Sequence, residues 1–175
     1  MPTGTFLAAL AVSNSTRREI APIAPYGTSG SPEATWSPDG SSIAFTDDCE
    51  DVCQSLRIVN THRGLPHDLP VVGMSVHAPV WASPPGTLVY FEELGLGNVE
   101  AIYLIHTRTG RRRRLGPRYG AVSVVSLIPS EDRSKIAAIY TLHGTWVDII
   151  DIASGRIRHS RIPHACCIHV AGRAT

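Results

Sequence analysis

The chain has almost no net charge and no long apolar run. Its 16 Lys and Arg nearly balance its 15 Asp and Glu, which leaves a formal charge of +1 over 175 residues. Such a balance provides no overall basic field for nucleic acid. The longest uninterrupted apolar run, Phe6–Val12, is far shorter than the about 20 residues that a membrane-spanning helix needs. We therefore expect no nucleic-acid partner and no membrane span.

The same apolar run lacks the features of a secretion signal. Residues 1–5 contain no Lys or Arg, whereas a signal peptide begins with a positively charged segment. The sequence therefore predicts a cytoplasmic protein, and a periplasmic or secreted location stays open as the alternative.

Cysteine is too scarce and too irregularly placed for a disulfide framework or a zinc site. The four cysteines form two close pairs, Cys49 with Cys53 and Cys166 with Cys167. Neither pair has the partner spacing of a zinc ribbon or finger, and adjacent residues of a strand point to opposite faces. We expect no metal and no cofactor.

The sequence also lacks the common catalytic motifs. It contains no G-x-S-x-G nucleophile elbow, no P-loop and no H-E-x-x-H metal motif. These absences predict that the chain is not an enzyme.

A repeated pattern of turn and apolar residues organises the chain. The stretch A-T-W-S-P-D-G-S-S-I-A-F, which ends at Phe45, returns as P-V-W-A-S-P-P-G-T-L-V-Y-F, which ends at Phe91. The tryptophans of the two stretches are Trp36 and Trp81. Four aromatic residues recur at the repeat spacing, namely Trp36, Trp81, Phe45 and Phe91. We therefore expect them to form a core between the repeats.

Two further copies are incomplete. In a third copy Pro129 corresponds to Pro84, and Ser126 takes the place of the tryptophan. An N-terminal fragment, Leu10–Ile20, aligns with Ile105–Leu115 and so reproduces only the second half of the repeat.

Each complete copy divides into four short runs with strand character. In the first copy the predicted strands are Glu33–Trp36, Ser42–Asp47, Ser55–Asn60 and Leu65–Leu69. Between the first two, S-P-D-G forms a tight turn, because Pro presets φ and Gly accepts a positive φ. No segment has the apolar period of a helix. Four antiparallel strands in about 46 residues match one propeller blade, and blades bury their apolar faces against each other. The predicted fold is all-β, built from β-propeller-type blades of four antiparallel strands.

The repeat resembles the WD-like repeat of the TolB-type β-propeller family, whose pattern runs W-S-P-D-G-x-x-I-A-F, then I-Y, then D-x-x-x-G, then R-L-T. The resemblance lies in W-S-P-D-G-S-S-I-A-F and, in the second copy, in A-I-Y-L and R-L. It implies a partial propeller of about three and a half blades that binds a partner. Similar blades occur in periplasmic accessory proteins and in the propellers that gate some serine peptidases. The resemblance divides the single domain 1–175 into a half blade 5–22, blades 33–70, 78–116 and 122–163, and a possible extra strand 165–170.

The predicted ring is incomplete or closed by an oligomer. Propellers close with 4–8 blades, which at this repeat length need roughly 180–370 residues. Three arrangements stay open: the half blade pairs with the C-terminal strand, a homodimer closes the ring, or the chain is a piece of a longer product.

Blade topology places the loops between second and third strands, and the linkers between blades, on one face of the disc. Acidic residues concentrate there, and His77, Arg118 and Tyr119 are expected on the linkers. The candidate partner-binding residues are Asp47, Asp48, Glu50, Asp51, Glu92, Glu93, His77 and Tyr119. Carboxylates in this arrangement favour a basic partner or a divalent cation. Solvated polar loops are the alternative explanation.

The sequence therefore predicts a non-catalytic propeller module that binds a protein or peptide partner through one face of the disc. One alternative is the substrate-filtering propeller of a serine peptidase whose hydrolase domain is absent; another is a decayed propeller gene fragment. The arginine run 111–114 begins an outermost strand, where charge discourages pairing between sheet edges.

Overall fold

The computed structural model describes residues 5–11, 16–23, 33–49, 53–62, 64–73, 75–93, 100–120, 123–141 and 143–162. Within these ranges the regular elements are all β-strands. They are β1 Thr5–Ala11, β2 Thr16–Ile23, β3 Ala34–Trp36, β4 Ser42–Cys49, β5 Cys53–Asn60, β6 His67–Asp68, β7 Ser75–Ala82, β8 Thr87–Glu93, β9 Glu100–His106, β10 Arg112–Tyr119, β11 Ser123–Pro129, β12 Lys135–Thr141, β13 Thr145–Asp151 and β14 Ile157–Ile162.

The strands form three four-stranded antiparallel sheets and one hairpin among the described residues. Blade 1 consists of β3 to β6, blade 2 of β7 to β10 and blade 3 of β11 to β14, each with its strands side by side in chain order. The hairpin pairs β1 with β2. The all-β fold and the four-stranded blades are confirmed, and the described strands leave the ring open. The division of 1–175 into a single domain stays a prediction, and the expected strand 165–170 lies outside the described residues.

The turns before the outermost strands of blades 2 and 3 each contain a glycine. Gly110 and Gly155 adopt positive φ values of 67° and 70° before the outermost strands of blades 2 and 3. A side chain with a Cβ is strained in this conformation, so glycine is the residue that the turn requires.

Strand pairing corrects the alignment of the repeats in two places. Trp36, Trp81 and Pro129 lie opposite Ile43, Leu88 and Ile136 respectively, so Pro129 and not Ser126 takes the tryptophan position in blade 3. Phe45 pairs with Arg57, and Tyr90 pairs with Tyr103. Phe45 is therefore equivalent to Tyr90 rather than to Phe91, because the extra residue of blade 2 lies after β8 and not in its first turn.

Apolar side chains fill the spaces between neighbouring blades. Between blades 1 and 2 the cluster includes Leu56, Ile58, Trp81 and Tyr90. Between blades 2 and 3 it includes Phe91, Leu115, Ile136, Tyr140 and Ile150. Each blade hides its apolar faces against the next, as the repeat predicted.

Trp36 does not belong to this core, which corrects the expectation from the sequence. Trp81 is 4% exposed and donates its indole N–H to the carbonyl oxygen of Thr35 in blade 1, at 3.1 Å. Trp36 is 49% exposed. Trp81 is covered because the innermost strand of blade 1 lies beside it and accepts its indole N–H.

Within the described part of the chain, no helix is long and apolar enough to span a membrane.

Candidate interaction face

One end of the blades carries most of the residues that the sequence singled out. The connections from second to third strand and the linkers between blades meet there, because each blade runs in chain order from its innermost to its outermost strand. We call this end the linker face. Its described part includes the linker 69–73, the ends of β4, β6, β8, β10, β12 and β14, and the starts of β3, β5, β7, β9, β11 and β13.

Glu92 anchors the linker between blades 1 and 2. Its side chain is fully buried, and Oε1 accepts the backbone N–H groups of Val72, at 2.7 Å, and of Gly73. Its Oε2 lies 2.9 Å from Nη2 of Arg112 on the outermost strand of blade 2. The guanidinium group of Arg112 also lies over the ring of Tyr103. The carboxylate thus fixes the path of the linker.

Gly73 fits beneath this carboxylate only because it has no side chain. A Cβ atom at this position would lie 2.3 Å from Cγ of Glu92 and 2.4 Å from the carbonyl oxygen of Glu93. The neighbouring Val72, whose N–H is held by the same carboxylate, keeps 78% of its surface exposed. A fixed backbone therefore presents an apolar side chain to the solvent.

Polar groups line the start of β7, next to this linker. Nε2 of His77 lies 2.9 Å from the hydroxyl oxygen of Ser75, and that hydroxyl donates to Oε1 of the buried Gln54 at 3.2 Å. His77 was expected on a linker, but it lies inside β7 opposite Phe91. The side chain is half-buried and is linked to Gln54 of blade 1 indirectly, through Ser75.

The residue after His77 has a strained backbone. Ala78 has a φ of 48°, at a point where the register of β7 against β8 shifts. Its N–H donates to a carboxylate oxygen of Glu33 at the start of blade 1. A non-glycine residue in this conformation costs about 1–3 kcal/mol and persists only where its surroundings fix it. The innermost strands of blades 1 and 2 are thus locked together at the linker face.

Tyr119 joins blades 2 and 3. It was expected on a linker, but it is the last residue of β10 and is buried. Its hydroxyl donates to Oδ2 of the buried Asp148 at 2.8 Å, and Oδ1 of Asp148 lies 2.5 Å from Nδ1 of His159. Burial, and then the hydrogen bond to Asp148, raise the pKa of Tyr119 above its usual value. Tyr140 also donates to Asp148, and burial beside this carboxylate raises its pKa to about 12.

Asp47 occupies in blade 1 the position of Glu92 in blade 2. It is buried, and Nη1 of Arg57 lies 2.5 Å from its Oδ2. Nε of the same arginine lies 3.0 Å from Oδ1 of Asp68. Asp47 was expected in a loop, but β4 continues to Cys49, which pairs with Cys53. Two of the predicted acidic residues thus lie inside strands and form internal ion pairs.

Of the four other acidic candidates, Glu93 and Asp48 belong to the described residues. Glu93 is half-buried at the end of β8, opposite Ser75 and Glu100. Asp48 lies in β4 opposite Gln54. Glu50 and Asp51 lie outside the described residues. Among the described residues, no group of three or more His, Cys, Asp or Glu is placed to hold a metal ion.

Asp148, Arg112 and Val72 are not among the residues that the sequence singled out as candidates. The signal for Asp148 was a charged residue at an inward position of an otherwise apolar strand, T-W-V-D-I-I-D. Arg112 is one of four consecutive arginines, and the sequence does not show which of them points inwards. Val72 carries no signal of its own, since its exposure depends on how Glu92 holds the linker.

The opposite end of blades 1 and 2 has two open cavities. The larger, of about 580 Å³, is lined by residues that include His67, Asp68 and Arg108. The smaller, of about 240 Å³, lies beside the Ser37–Ser42 turn and Trp81.

The sequence matches no protein-family model and no curated protein. Solved structures are similar in fold. TolB from Acinetobacter baumannii matches with a TM-score of 0.69 and 17% identity over 91% of this chain and 38% of that one. An oligogalacturonate lyase in complex with manganese matches with a TM-score of 0.68 and 14% identity over 91% of this chain and 48% of that one. A puromycin-hydrolysing peptidase of Mycobacterium tuberculosis matches with a TM-score of 0.62 and 16% identity over 84% of this chain and 24% of that one. The chain thus spans between 24% and 48% of these three structures. It has the fold of the TolB-type β-propellers.

Proposed function

We propose that the chain is a non-catalytic propeller module that binds a protein or peptide partner through the linker face. The observation that carries this proposal is the exposure of Val72 on a linker whose backbone is held by the buried Glu92. A side chain presented in a fixed geometry loses little freedom on binding, which favours affinity. Apolar residues surrounded by polar ones are the usual centre of a protein interface.

The polar surroundings favour a partner with basic groups. Glu93 is the last residue of β8, and His77 lies near the start of β7, beside this linker. Asp48, Glu50 and Asp51 follow from the sequence as further carboxylates on the same face. Glu92, Asp47 and Tyr119 support this surface from beneath through their internal bonds and do not contact the partner.

Site-specific photocrosslinking tests the proposal. A benzoylphenylalanine in place of Val72 is compared with one in place of Leu65, which is 84% exposed at the opposite end of blade 1. We expect position 72 to crosslink to a discrete protein and position 65 to give none. Equal crosslinking at both positions, or none at position 72, contradicts the proposal.

The purified partner then allows a quantitative test. Val72→Asp should weaken its binding at least tenfold, whereas Leu65→Asp should change it less than twofold. Both residues are exposed, so neither variant should shift the melting temperature appreciably. A loss of binding that accompanies a loss of folding would count against a surface role for Val72.

A second candidate is the substrate-filtering propeller of a peptidase. It is favoured by the similarity in fold to the puromycin-hydrolysing peptidase, of which the chain covers 24%. A reading frame that continues from this chain into an α/β-hydrolase domain would support it, and a stop before any such domain would contradict it.

A further inference from the structure

The outermost strands of blades 2 and 3 carry a concentration of exposed arginine. Seven arginine side chains on or next to β10 and β14 are exposed, namely Arg111, Arg113, Arg114, Arg118, Arg156, Arg158 and Arg161. Neither segment, 111–119 or 156–162, contains an acidic residue. A chain with almost no net charge therefore has a strongly basic local surface, which we call the outer wall.

The outermost strands of blades 2 and 3 approach each other at two points. Nη2 of Arg113 on β10 donates to the carbonyl oxygen of Ile152 in blade 3 at 2.6 Å. Further along, the backbone of Gly116 lies so close to Ile157 that a Cβ atom would be 2.8 Å from its Cδ1. The outermost strands of blades 2 and 3 thus lie close to each other, and both have exposed arginines.

The outer wall includes a straight sheet edge. β14 pairs with β13 along its whole length without a shift of register, and among the described residues no strand pairs with its other edge. β10 is less suitable, because its pairing shifts between Leu115 and Arg118, where the sequence reads G-P. An open edge offers backbone N–H and C=O groups in the spacing of an extended polypeptide.

We propose that the outer wall binds an extended acidic polypeptide, which pairs with the edge of β14 and places carboxylates against the arginines. Arg158 lies opposite Ile149 on one face of β14, and Arg161 lies opposite Trp146 on the other, where Arg113 of blade 2 also lies. An added strand alternates its side chains between these faces. A polynucleotide fits less well, because it cannot use the backbone groups and meets no exposed Trp, Tyr or Phe on the described parts of these strands. This surface is separate from the linker face.

Fluorescence polarisation with a defined probe tests the proposal. The probe is a fluorescein-labelled 12-residue peptide of alternating Glu and Thr. Binding is compared between the unmodified chain, the variant R156Q/R158Q and the control variant R108Q/K135Q. Both variants lose two positive charges, and all four side chains are exposed. We expect R156Q/R158Q to weaken binding at least tenfold and the control to weaken it less than twofold.

Two further probes separate strand pairing from simple charge attraction. The same peptide with every second backbone nitrogen methylated keeps its carboxylates but cannot pair with an edge, and it should bind at least tenfold more weakly. A labelled dT12 provides the nucleic-acid comparison. Equal losses in both variants, equal binding of the methylated peptide, or binding of dT12 without the acidic peptide would each overturn the proposal.

Discussion

The hydroxyl of Tyr119 lies 2.8 Å from Oδ2 of Asp148, and this hydrogen bond joins the last strand of blade 2 to the third strand of blade 3. Between blades 1 and 2 the corresponding role falls to Glu92, which holds the N–H groups of the linker residues Val72 and Gly73. At both boundaries a buried carboxylate of the later blade binds the chain segment that comes before that blade, which is the linker at the first boundary and the end of β10 at the second.

Tyr119→Phe tests the link between blades 2 and 3. The variant removes one donor from a buried carboxylate, so we expect it to reduce the free energy of unfolding by about 1.5–3 kcal/mol. Urea denaturation measures the change. Tyr103→Phe is the matched control, because Tyr103 contacts Tyr90 and Arg112 through its ring, and it should change the value by less than about 0.5 kcal/mol. Equal effects of the two variants would show that the bond to Asp148 contributes nothing specific.

The two tryptophans should differ in their contribution to stability. Trp81→Ala removes a buried side chain from the boundary between blades 1 and 2, and we expect a loss of about 3–5 kcal/mol. Trp36→Ala removes a half-exposed side chain and should cost about 1 kcal/mol or less. Chemical denaturation of both variants provides the comparison. A larger loss for Trp36 than for Trp81 would mean that Trp36 is covered in solution.

Glu92→Gln tests the anchor of the first linker. The variant leaves Arg112 without its ionic partner, which for fully buried pairs costs about 3–5 kcal/mol. We expect about 2–3 kcal/mol here, because the side chain of Arg112 keeps 22% of its exposure to water. Glu93→Gln, at the half-buried neighbouring position, should change stability by less than about 0.5 kcal/mol. Urea denaturation measures both changes in the free energy of unfolding. Equal changes for the two variants would show that Glu92 does not hold the backbone of Val72 in place.

The first turn of blade 1 should make stability depend on pH. Hydrogen bonds from the hydroxyl of Ser37 and from Ser41 lower the pKa of Asp39 to about 2. A carboxyl whose pKa is lower in the folded state stabilises the fold above its unfolded pKa, near 4, and this contribution disappears as the pH falls through 2. Asp39→Asn should therefore lower the urea midpoint at pH 7, and the difference should shrink towards pH 2.

The turn of blade 3 provides a repeat of this experiment. Ser130 and Ser134 bind Asp132 in the same way and lower its pKa to about 2. Asp132→Asn should behave as Asp39→Asn does. A difference between variant and unmodified chain that stays constant from pH 7 to pH 2 would argue against a role for these charged groups.

Features that depend on a few adjacent residues could be predicted from the sequence. The S-P-D-G turn, the glycines before the outer strands and the four-strand unit each follow from local backbone preferences. In blade 3 the same turn is present as S-E-D-R-S, with Arg133 at a positive φ of 58°. The sequence comparison missed this equivalence, because the hydrogen bonds of Ser130 and Asp132, rather than the proline, define the turn.

Features that depend on a paired strand or a neighbouring blade could not be predicted. Asp47 and Glu92 appear as loop residues in the sequence, yet arginines on other strands of the same blade hold both inside the fold. Trp36 and Trp81 occupy the same position in their blades, and only the neighbour decides which of them is buried. The sequence pattern shows where strands and turns lie, but the partner of each carboxylate becomes known only when the strands are paired.

The indole of Trp81 reaches across to a backbone oxygen of the blade before its own, and this has a consequence for how the chain unfolds. A blade removed from the stack loses both its apolar cover and a bond that its neighbour supplies, so the boundary rather than the blade is the cooperative unit. Proteolysis should accordingly release no isolated folded blade, and a cut within residues 71–73 should melt the sheets on both sides of it together.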